Sequence, residues 1–201
     1  MKDSIEEIYQ YWFGDILDNP NAEDRSQLWY RGGPEVDNDI RNKFEHLILQ
    51  AQSRRIDDWA NTARGSTALI ILLDQFPLNI YRGDPRAFAS EQHSVDIALA
   101  GIATGQDREL SFHERVFFYL PLEHSESAEH QVLSIQYFTQ LRDEAPEHLR
   151  EAAQGTLQYA IDHKEIVDRF GRYPHRNKAL GRVSTPEEIQ YLEDGGATYG
   201  Q

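Results

Sequence analysis

Three stretches of the chain hold side chains able to bind charge or move a proton. The first is LDQFPLNIYRG at 73–83, in which Asp74 and Gln75 follow the most apolar run of the sequence and Asn79 and Arg82 come after it. Read as the end of a helix closed by Pro77, this stretch puts Asp74 in a last turn. The helix dipole is negative there and disfavours an acid by about 0.3–1 kcal/mol. A carboxylate beside so apolar a run needs a cation or several donors. Arg82 and the arginines of 169–182 are the candidates, with Gln75 and Asn79 in the same network. A structural ion pair locking the helix end accounts for the same residues without any chemistry.

The second stretch is YLPLEHSESAEHQ at 119–131. With Pro121 ending one helix and Ser125 or Ser127 capping the next, Glu123, His124 and Glu126 stand at a helix N-terminus. Acids are favoured there, and simple capping explains them. His124 and Glu126 are also residue types that exchange protons near neutral pH or assist such exchange. Glu126 and His130 are four apart with His124 close by, yet this is not H-E-x-x-H. Spacing places no third ligand, so no metal is assigned.

The third stretch is RFGRYPHRNKALGR at 169–182, with five Arg or Lys, one His and no acid. Gly171 reads as the cap of a long helix and Thr185 as the start of the last one. Thirteen residues between them carry no element of their own, a length that in compact domains often serves function. Arg169, Arg172, Arg176 and Arg182 offer the planar, paired donors that suit a carboxylate or phosphate, with His175 and Asn177 among them. The competing reading is a solvated basic loop, or arginines that only neutralise Asp74, Glu123 and Glu126.

The charge balance sharpens this choice. The chain has 201 residues and a net charge of −14, with 20 Lys and Arg against 34 acids. Residues 164–182 nonetheless carry six of the cations and two of the acids. So acidic a protein lacks the positive footprint that nucleic acid or an anionic membrane surface requires, and a local positive site suits a small anion better. There is no cysteine, which excludes disulfides and thiol chemistry. Glycine-rich phosphate loops, G-x-S-x-G and dinucleotide fingerprints are missing, and no cofactor is assigned. No window has the roughly 18 apolar residues of a membrane span, and MKDSIEEIYQ lacks a signal peptide's apolar run, so a cytoplasmic location is expected.

The elements that must position these residues all read as helices. Ser4 with Glu7 forms a capping box ahead of Ile5, Ile8 and Trp12, and Gly14 stops that helix. A loop over 15–22 precedes a short helix near Trp29 and Tyr30, broken by Gly32-Gly33-Pro34. Residues 36–52, 87–104 and 127–143 show apolar residues at helical spacing, and STALIILLDQF at 66–76 is apolar all round through Leu73. Ser111 with Glu114 caps a helix stopped at Pro121, Pro146 opens the longest helix, and Thr185 with Glu188 caps the last. No run alternates as a strand would. The expectation is a single all-α domain of eight to nine helices over 1–194, with 195–201 a frayed tail. A domain of this size buries about 70% of the surface its unfolded chain exposes. Trp12, Trp29 and Trp59 are assigned to the core or to a pocket wall.

The motifs ILLDQFPLNIYRG, FFYLPLEHSES and RFGRYPHRNKALGRVSTPEE, in this order and together with Trp12-Phe13 and AFAS at 87–90, resemble the bacterial domain-of-unknown-function family 924. The similarity spans nearly the whole chain. It implies an all-helical fold arranged like the tetratricopeptide-repeat superhelices, although no 34-residue repeat is visible here. The chain departs from the family pattern at Leu78, where an arginine is usual, and around Ser90-Glu91, where an aspartate is usual. A role for that arginine therefore does not carry over. The family has no assigned activity.

Two functional expectations follow. In one, the three stretches join in a pocket where the arginines hold a small phosphate- or carboxylate-bearing molecule. Asp74 and Glu126 are then counter-charges or acid–base groups, and His124 or His175 exchanges a proton in a hydrolase or transferase reaction. In the other, a helical groove grips an acidic peptide without turnover. Oligomeric state is not legible.

Overall fold

A computed structural model describes residues 2–17, 19 and 22–200 of the chain. Part of the loop read over 15–22 lies outside them, at 18, 20 and 21. Among the described residues there are helices and turns and no strand. In chain order the α-helices are α1 (Lys2–Trp12), α2 (Ser26–Tyr30), α3 (Pro34–Gln52), α4 (Ala63–Ile70), α5 (Phe76–Ile80), α6 (Glu91–Ala103), α7 (Phe112–His124), α8 (Ala128–Glu144), α9 (Arg150–Phe170) and α10 (Pro186–Glu193). No helix among these residues is long and apolar enough to cross a membrane.

α4 and α5 form one continuous rod through the centre, joined by a π-helical turn at Ile71–Gln75. The all-round apolar sequence explains its place, because every residue from Ser66 to Pro77 is buried. α1, α3, α6 and α7 pack around it, and α8 lies against both α7 and α9. Trp12 stands edge-on to Phe76 and Phe117, 5.4 Å from each ring. Each such fully buried aromatic contributes on the order of 2 kcal/mol through the apolar surface it removes from water. A smaller apolar cluster, Ile166, Val167 and Tyr173, sits under the loop that leads to α10.

Two prolines do not end helices as their sequence positions suggest. Pro77 has no N–H to donate, and the chain meets this with the wider π turn just before it, where Phe76 N bonds Ile71 O, five residues back. Asp74 consequently lies inside the rod rather than in a last turn. Pro121 sits within α7, which runs on to His124. All residues from Tyr119 to Glu123 are buried, and that packing outweighs the roughly 3 kcal/mol a helix-interior proline costs. Glu123 and His124 are thus the C-terminal turn of α7, not the N-terminus of α8. At the first helix, α1 begins at Lys2, so Ser4 is inside it rather than its cap. The capping boxes at Ser111–Glu114 and Thr185–Glu188 form as read, both partners engaged.

Candidate functional site

α7 ends where it crosses the π turn of the central rod, and this crossing joins the first two polar stretches. His124 Nδ1 lies 2.9 Å from both oxygens of Asp74. Two acceptor oxygens require that Nδ1 carry the proton, which leaves Nε2 of the ring without a protein partner among the described residues. Gln75 Nε2 donates to the same carboxylate. The cation beside Asp74 is therefore a histidine, not one of the arginines expected there, because α7 continues past Pro121 and carries His124 onto the rod.

The arginines of the third stretch do another job. Arg182 donates twice to Glu126, at 2.6 and 2.9 Å, and also to Asn177 Oδ1 and Tyr173 O. Arg172 makes two bonds to Glu188 and one to Val183 O, and Arg169 pairs at the surface with Glu187. Asn177 donates to Ser184 and Glu188. Arg176, only 5% exposed, bonds Glu91 and the carbonyl of His124, with its guanidinium over the rings of Phe88 and Tyr173. The gathered positive charge of 169–182 is matched by acids from α6, α10 and the α7–α8 corner. It fastens an irregular segment to the helices around it.

What remains open is a cavity of about 870 Å3. Its lining combines apolar side chains, among them Trp29, Leu78, Phe88, Phe112, Phe117, Leu120 and Phe138, with the polar Gln75, Asn79, Arg82, Glu123, His124, His163, His175 and Arg176. Seven of the residues singled out in the sequence, all of these but His163, thus share one surface, with Asp74 directly behind His124. Glu126, Arg169, Arg172, Asn177 and Arg182 are not on it. Asn79 and Arg82 both donate to Asp37 of α3 rather than to Asp74. In the stretch 195–201, expected as a frayed tail, Tyr199 stacks on His163 at 3.8 Å and Gly200 O accepts from Arg82, while Gln201 lies outside the described residues.

Burial shapes the electrostatics of these polar groups. It pushes the Glu123 carboxyl up to about 8, although the charge of His124 opposes the shift. It presses His163 down to about 3, with the charge of His124 adding to the effect, and His175 likewise to about 3, with Arg176 adding. For His124 burial resists the charged form, but the charge and hydrogen bond of Asp74 outweigh it, and the pKa lies above its usual value. Neighbouring groups driven apart in this way are characteristic of sites that handle protons or charge.

Two site residues escaped the sequence reading or were misplaced by it. His163 lies on the apolar stripe of α9, three residues after Ala160 and four before Val167, and a polar residue on a buried stripe is a signal that could have been used. Glu123 was read as a cap and is instead a 3%-exposed acid facing the cavity. The Glu126–His130 pair does not assemble, since His130 Nδ1 lies by Ser125 Oγ. One ligating atom each from Glu123, His124 and His163 do lie within 4.8 Å of one another.

The chain is similar to a protein of unknown function from Agrobacterium tumefaciens whose structure is solved. Identity is 33%, the TM-score is 0.80, and the match covers 96% of this chain and 99% of that one. No curated protein matches the chain. The model of a family described as bacterial protein of unknown function (DUF924) matches residues 8–196. With nearly its whole length inside that match, the chain belongs to the DUF924 family.

Proposed function

We propose that the chain binds a small molecule with an apolar body and a singly charged, carboxylate-like head, and acts on it by hydrolysis or group transfer. One observation carries this reading: a cavity of small-molecule size whose lining joins many apolar side chains with charged groups from three separate stretches. Arg82, Arg176 and His124 each already share their charge with an acid, namely Asp37, Glu91 and Asp74. With each of these cations already matched by an acid, the site suits a ligand of one negative charge better than the two of a phosphate. A histidine held in one tautomer by a buried carboxylate supports turnover rather than storage, since such a ring is oriented for reaction.

A thermal-shift screen of carboxylates with apolar tails, run beside phosphate, sulfate and an acidic C-terminal peptide library, tests the reading. A ligand at 100 times its Kd stabilises by about 2.7 kcal/mol, which for a domain of this size raises Tm by roughly 5–10 °C. Shifts from the peptides alone would discard the small-molecule pocket in favour of an interaction module.

A further inference from the structure

Glu123 is a buried acid that the ion pairs of the arginine loop do not reach. Its side chain is 4% exposed, yet its carboxylate accepts no hydrogen bond among the described residues. His163 Nδ1 stands 3.3 Å from its Oε1. That nitrogen is already engaged by the carbonyl of Tyr159 at 2.8 Å. A carboxyl group that faces the cavity with no hydrogen-bond donor on it can take a cation in place of its proton.

The surroundings supply the remaining parts of a cation site. Nδ1 of His124 is held by Asp74 and Nδ1 of His163 by a backbone carbonyl, so each ring would meet a metal through Nε2, His124 giving up the proton its charged form carries there. A ring N–H anchored by a carboxylate or carbonyl is the usual support behind a metal-bound histidine. The turn that carries Glu123 is also held firmly, its carbonyl accepting from Tyr173 Oη and Gln131 Nε2. One ligating atom from each of the three residues lies within 4.8 Å of the others. Atoms that bind one ion at about 2.1 Å stand roughly 3–3.5 Å apart, so closure asks for side-chain movements of about 1 Å.

We propose that Glu123, His124 and His163 bind one divalent first-row transition-metal ion of the zinc type, with its remaining coordination positions open to the cavity. Two imidazoles and one carboxylate select such an ion over magnesium or calcium, which prefer all-oxygen sets. Three protein ligands with an open side are the arrangement of reactive rather than purely structural metal sites. Only the assignment of what meets the open side, the acidic head of the ligand, rests on the proposed function.

The test uses the full chain without any small molecule. After EDTA treatment and dialysis, Zn2+ is titrated by calorimetry and Co2+ by its visible d–d absorption. One saturable equivalent is expected, with His163→Ala and the near-isosteric Glu123→Gln each weakening binding at least about 10-fold and His130→Ala leaving it unchanged. Absence of saturable binding, or equal affinity in Glu123→Gln and the unmodified protein, overturns the site; Glu123→Gln decides even if His163→Ala fails to fold. Metal binding with no response to any carboxylate would leave the metal site standing and remove the ligand reading. Carboxylate shifts in a chain that binds no metal would do the reverse.

Discussion

If the arginines of 169–182 fasten the loop rather than hold a ligand, removing one must cost stability and spare the cavity. Arg182→Ala is the most direct test. The guanidinium makes two charge-assisted bonds to Glu126, at 2.6 and 2.9 Å, and two more to Asn177 and Tyr173 O. Glu126 would keep only the Tyr173 N–H, at 2.8 Å. A hydrogen bond to a charged group is worth about 1.5–3 kcal/mol, and breaking a fully buried pair costs about 3–5 kcal/mol. Both side chains here are about a quarter exposed, so water recovers part of the loss. A cost of about 2–3 kcal/mol follows, or a fall in Tm of roughly 4–12 °C for a domain of this size. Urea unfolding of Arg182→Ala, Glu126→Ala and the double variant measures the coupling directly, and more than about 1 kcal/mol is expected. A Tm loss below about 2 °C with additive single effects would refute the clamp. So would a folded Arg182→Ala chain that has lost its ligand response.

Three further outcomes follow from the same packing. Gly155 lies on α9, lines the cavity, and has nothing within 4 Å of where a Cβ would stand. Gly155→Ala should therefore stabilise by about 0.5–1 kcal/mol in chemical unfolding, while Gly155→Phe should abolish ligand-induced Tm shifts in a chain that still folds. At Gly65 a Cβ would stand 2.0 Å from the Trp59 carbonyl, so Gly65→Ala should cost roughly 3 kcal/mol in the same assay. Glu188 is held at about 2, below its ordinary 4.5, first by the Arg172 hydrogen bond and also by Thr185 N and Asn177. A depressed folded pKa means stability present above 4.5 and lost as pH falls toward 2. Melting from pH 6 to 3 should show that loss, and Glu188→Gln should flatten it; an unchanged slope refutes the assignment.

Much of the fold was legible because it is written locally. Helical spacing, two capping boxes and Gly171 as a left-handed cap each act within a few residues. Pro77 and Pro121 depart from their local signal for the same reason. A proline's local cost is visible in sequence, but the burial that outweighs it comes from other helices. That single difference carried His124 onto Asp74 and turned Glu123 from a cap into a buried acid. His163 went unnoticed because a residue on an apolar stripe shows its chemistry only beside its neighbours.

The sequence by itself determined an all-helical chain, the three polar stretches and the excess of cations in 169–182. Only the tertiary structure decided which acid each cation meets. Arg182 reaches Glu126 across 56 residues and His124 reaches Asp74 across 50. Such pairings depend on how helices cross, and crossings are set by packing over the whole core rather than by the spacing of residues within any one segment.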